Sequence, residues 1–63
     1  MKVERFVIEY ANYVIKRIGN SLMQDEEKTE LMRKIDKAVW ARRQNMITAD
    51  EAVMMIGGFE RKA

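Results

Sequence analysis

The chain predicts an all-α fold: a helical hairpin plus a short third helix, in one domain spanning residues 1–63. Three observations carry this. Among 63 residues there is no Pro and only Gly19, Gly57 and Gly58, so little interrupts a helix. Apolar residues recur at helical spacing in three successive segments. Between the second and third segments stands Asn45-Met46-Ile47-Thr48-Ala49-Asp50-Glu51, a helix ending followed at once by a helix start. Asn tolerates the left-handed conformation that closes a helix. Thr48 with Glu51 three residues on makes a capping box.

The first helix is expected over residues 2–18, with Gly19-Asn20 as a left-handed terminator. At about 100° per residue, Lys2, Arg5, Glu9, Asn12 and Lys16 fall on one narrow strip. Apart from Glu4 and Arg17, the remaining face is apolar over roughly 220°, about twice the stripe a surface helix needs. One helix cannot cover it. Two helices of the same chain or a second molecule must do so, and the expectation is self-association through Val3, Phe6, Val7, Tyr10, Tyr13 and Val14.

The second helix is expected over residues 24–44. Ser21 with Gln24 offers one capping box, and the acidic run Asp25-Glu26-Glu27 suits a first turn in either case. Its stripe is Leu31, Met32, Ile35, Ala38 and Val39, continued by Met46, with Trp40 off the stripe near Arg33, Asp36 and Arg43. The third helix is expected over residues 49–56, folding back across one end of the hairpin. Gly57-Gly58 would end it, Phe59 would fold back, and residues 60–63 would fray.

Composition excludes several kinds of chemistry. With no Cys and no His there are no disulfides, no zinc or haem ligation through those side chains, and no Cys or His catalysis. The only side-chain hydroxyls are those of Tyr10, Tyr13, Ser21, Thr29 and Thr48, with no imidazole to activate them. Asp25, Glu26 and Glu27 read as ordinary helix-start acids. The expectation is a non-enzyme with no cofactor and no metal. No apolar run approaches the roughly 18 residues of a membrane span, and the charges of Lys2, Glu4 and Arg5 do not suit a signal peptide. A soluble, cytoplasmic protein with no membrane partner is therefore expected.

Two binding readings remain. Apart from Met1, methionine stands at 23, 32, 46, 54 and 55, a residue that fills irregular gaps and recurs at adaptable interfaces. Trp40, Met54, Met55 and Phe59 are the candidate contacts to another protein. The alternative is nucleic acid, bound by Arg33, Lys34, Lys37, Arg42 and Arg43. A net charge of +2 is too small to favour it. The ordinary reading of those bases is a solvated helix end that complements the dipole. The third helix is a poor reader of DNA, because Asp50 and Glu51 would face phosphates.

Residues 35–56, centred on Asn45-Met46-Ile47-Thr48-Ala49-Asp50-Glu51-Ala52, resemble the corner of the short helical hairpins called SHOCT domains. They are also similar to corners in small helical proteins of Gram-positive bacteria and their phages. The resemblance covers about a third of the chain. It departs at Asn45, where those hairpins usually have Gly, and at Ala52, where they have an aromatic. It implies an oligomerisation or interaction module with no catalytic residue. With the surplus apolar face of the first helix, the Met and Trp candidates and the lack of catalytic groups, the expectation is a small regulatory or adaptor protein, of the style of a phage or mobile-element accessory factor. A structural subunit of a homo-oligomer is a further alternative.

Overall fold

A computed structural model describes residues 2–63. Among them the fold is all-helical, with α1 at Arg5–Gly19, α2 at Asp25–Arg43 and α3 at Ala49–Glu60. The Lys28 ammonium donates to the Gly19 carbonyl at 2.9 Å, joining the start of α2 to the end of α1. Arg42 near the end of α2 meets Glu4, just before α1, at 2.9 Å. The two helices are therefore antiparallel. Helix α3 starts beside that same Arg42, which donates to the Ile47 carbonyl at 2.9 Å. It ends where Glu60 accepts from Tyr10 and Arg17 of α1. It runs in the direction of α1 and packs on both other helices, rather than crossing one end of a hairpin.

Helix α1 begins three residues later than expected. Glu4 is its extended N-cap residue, with φ −57° and ψ 142°, and its carboxylate is held by Arg42. Val3 still reaches the core. No left-handed terminator forms at Gly19-Asn20: Asn20 is right-handed at φ −92°, and no glycine has positive φ. The orphan carbonyls find other partners. Ser21 Oγ donates to the Ile18 carbonyl at 2.7 Å, and Lys28 takes that of Gly19. Ser21 thus closes α1 and does not cap α2, whose N-cap residue Gln24 makes no side-chain cap bond.

The corner after α2 forms as its residues dictate. Asn45 is left-handed at φ 60°. The Met46 amide bonds the Ala41 carbonyl at 2.9 Å and the Asn45 amide bonds that of Arg42 at 3.0 Å, the paired bonds of a Schellman closure. Thr48 and Glu51 then form both halves of the capping box, at 2.9 and 3.1 Å.

Gly57-Gly58 does not end α3; the helix runs through to Glu60, and the tail starts one residue later than expected. A Cβ on Gly57 would lie 3.3 Å from the Tyr10 hydroxyl. The glycine permits a close approach of α1 that the hydrogen bond from Tyr10 to Glu60 then secures. Tertiary contact outweighs the roughly 1 kcal/mol that each mid-helix glycine costs.

The core is Val3, Val7, Ala11, Val14 and Ile18 from the first segment, Leu31, Ile35 and Ala38 from α2, and Ala52 and Ile56 from α3. Met32 and Val39 flank it. Met46, expected to continue the α2 stripe, points outward, because the closure at Asn45 turns the chain away first.

Candidate interaction surface

Helix α1 carries two parallel stripes. Val7, Ala11, Val14 and Ile18 repeat at i, i+4, i+7 and i+11 and are buried. One residue earlier, Phe6, Tyr10, Tyr13 and Arg17 repeat the same spacing beside them, the interval at which helices interlock. Of the six residues expected to pair between molecules, Val3, Val7 and Val14 are consumed by the chain's own core. That is a correction. Two helices of the same chain, α2 and α3, flank the wide face of α1. Phe6 and Tyr13 stay about half exposed, and Tyr10 is half-buried.

The tyrosine stripe is partly tied down. Tyr10 donates to Glu60 Oε1 at 2.7 Å, and Arg17 bonds both Tyr13 at 3.2 Å and Glu60 Oε2 at 3.2 Å. The two rings stack with centroids 6.3 Å apart, and the Arg17 guanidinium sits 5.9 Å above the Tyr13 ring. The carboxylate of Glu60 accepts from Tyr10 and so holds the phenol above its ordinary pKa. Glu60 lies in α3 and is no part of a fraying tail.

On the opposite flank of α1 a furrow of about 260 Å³ runs between α1 and α2. Ile8 and Ile15 form one wall, Val39 and Trp40 the other, and Asp36 and Arg43 stand at its ends. Trp40 is 49% exposed and Ile8 38%. Asp36, Trp40 and Arg43 lie at i, i+4 and i+7, hence on one face of α2. Among the described residues neither Asp36 nor Arg43 has an ion-pair partner. Two helical turns separate them, too far to pair with each other.

The other candidate contacts divide. Met54 is the most exposed large hydrophobic residue of α3, at 75%. Met55 is exposed to one side, and Phe59 packs at the edge of the core. Met55 and Phe59 are four residues apart and share a face of α3, from which Met54 is turned by about 100° or more. A wider, more open hollow of about 560 Å³ lies at the start of α2, where Glu26, Glu27 and Glu30 stand over Met23 and Leu31.

The five bases proposed for nucleic acid are not one surface. Arg42 grips Glu4 with two bonds of 3.0 and 2.9 Å, and donates to Asn45 Oδ1 at 3.1 Å and to the Ile47 carbonyl at 2.9 Å. Its side chain is only 11% exposed. The hydrogen bonds from Arg42 hold the Glu4 carboxyl below the ordinary carboxylate range, and the same bonds raise the pKa of Arg42. Arg33 lies 3.8 Å from Glu30. At about 100° per residue, Arg33, Lys34, Lys37 and Arg43 fan around α2 over more than a third of its circumference. Sequence reasoning missed the Arg42 site because it joins α2 to two separate segments, Glu4 before α1 and the Asn45–Ile47 corner before α3. The acid concerned, Glu4, fell inside the helix expected over residues 2–18 and so gave no signal of its own.

Among the described residues no group of His, Cys, Asp or Glu is placed to hold a metal ion, and no helix is long and apolar enough to cross a membrane. Comparison with known protein families, curated proteins and solved structures gives no match to this chain.

Proposed function

We propose that this is a small non-enzymatic adaptor or regulatory protein that acts by binding protein, and that it self-associates through the surface of α1. The observation that carries the reading is that α1 keeps apolar side chains uncovered on both flanks after its core stripe is buried: Phe6 and Tyr13 on one, Ile8 on the other. A 63-residue chain hides only about 60% of its unfolded surface, so covering these flanks adds stability the monomer core lacks. The resemblance of residues 35–56 to the corner of interaction hairpins agrees with this reading, and so does a style suited to a phage accessory factor.

The test is sedimentation velocity from about 10 µM to about 1 mM, the range in which weak specific pairing shows. The expected outcome is a rise in sedimentation coefficient with concentration. A single species of monomer mass throughout would sink the reading. The nucleic-acid alternative loses Arg42, whose guanidinium is bonded to Glu4, Asn45 and Ile47 within the chain, and no observation favours it.

A further inference from the structure

We infer that the self-association proposed above, on which this inference rests, is a two-fold pairing of α1–α2 furrows, with Trp40 at the symmetry axis. A two-fold interface uses the same patch on both molecules, so the patch must be complementary to itself. An apolar strip with an acid at one end and a base at the other meets that requirement. Asp36 and Arg43 are such ends, with Val39 and Trp40 midway between them. Seven residues of helix separate the charges by about 10.5 Å. A two-fold axis perpendicular to α2 at Val39–Trp40 sets the α2 helices of the two molecules antiparallel. Asp36 of each copy then faces Arg43 of the other, twice over.

The Trp40 ring forms one wall of the furrow in each copy, and its exposed half would fill the furrow of the other, against Ile8 and Ile15. Tryptophan in a desolvated, central position is the side chain on which interface energy most often concentrates. The competing flank is less suited to pairing. The hydroxyls of Tyr10 and Tyr13 and the charges of Arg17 and Glu60 already satisfy one another within the chain. Among the described residues Asp36 and Arg43 have charges without ion-pair partners.

The experiment is a charge swap read by sedimentation and by Trp40 fluorescence. Asp36→Arg and Arg43→Asp should each weaken association about tenfold or more, since each replaces two attractive contacts with two repulsive ones. The double variant Asp36→Arg/Arg43→Asp should restore it to within about threefold, because both pairs re-form with signs exchanged. Trp40 emission in the natural chain should shift to the blue as concentration rises, and Trp40→Ala should abolish association. All three positions are exposed, and far-ultraviolet circular dichroism of each variant at low concentration checks that its helices are intact. Association that survives both single reversals and is lost in Phe6→Lys/Tyr13→Lys would overturn the furrow pairing while leaving self-association standing. Absence of any concentration dependence in the natural chain would overturn both.

Discussion

At the scale of single residues, Arg42 does more for the architecture than any other polar side chain. Its guanidinium joins the segment before α1, the end of α2 and the corner before α3, and it is bidentate on Glu4. A planar fork is needed for this; a lysine keeps the charge and loses the geometry. The Glu4 carboxyl is held below its ordinary value of 4.5 by these bonds. That of Glu51 is held down by the backbone and hydroxyl of Thr48. A depressed carboxylate pKa contributes stability that is present above the unfolded value and is lost as pH falls through the folded one. Thermal melts should therefore be nearly flat from neutrality to about pH 5 and fall in more acidic solution. Glu4→Gln should lower the neutral melting temperature and shrink the acid-dependent fall. Arg42→Lys should lower the melting temperature more than Arg43→Lys, which removes no bond. Equal effects from the two lysine variants would refute the role given to Arg42.

At the scale of elements, what could be read from the chain was whatever rests on local chemistry. The Asn45–Glu51 corner formed bond for bond, because a left-handed Asn and a capping box are complete within seven residues. The ends of α1 and α3 were misplaced because their causes are distant in sequence. Glu4 is drawn out of the helix by Arg42, and Gly57 is kept in it by Tyr10. The same reasoning separates the two glycines of α3. Replacing a helical glycine by alanine ordinarily stabilises by about 0.5–1 kcal/mol. A Cβ on Gly58 meets nothing closer than the flexible end of Arg61 at 3.8 Å, so Gly58→Ala should show the full gain in denaturant unfolding. On Gly57 the added carbon lies 3.3 Å from the Tyr10 hydroxyl, which is pinned by Glu60. Gly57→Ala should stabilise less than Gly58→Ala, or destabilise. Adding Tyr10→Phe, which removes that hydroxyl, should narrow the difference. If Gly57→Ala matched Gly58→Ala in the natural background, the close packing of α1 on α3 would not be the reason the helix tolerates glycine.

At the scale of the whole molecule, the excess apolar face of α1 was legible, but its division was not. Periodicity counts apolar positions around a helix without saying which of them the chain's own helices will cover. Val3, Val7 and Val14 went inside; Phe6, Tyr13 and Ile8 did not. The furrow was legible only in part, since Trp40, Asp36 and Arg43 share a face of α2 while Ile8 and Ile15 come from another helix. This division separates two kinds of failure that a single substitution in α1 can cause. Val14 has no exposed surface, so Val14→Asp places a carboxylate in the interior of one chain, at a cost of several kcal/mol. Small domains have little more than about 5 kcal/mol in total. The variant should lack helical circular dichroism at every concentration. Tyr13, half exposed, leaves the core intact when replaced. Tyr13→Lys should remain helical at low concentration and change at most how stability rises with concentration, because a partner that binds only the folded state stabilises it by mass action. A folded, melting Val14→Asp monomer would show that this side chain is not part of the core that joins the three helices.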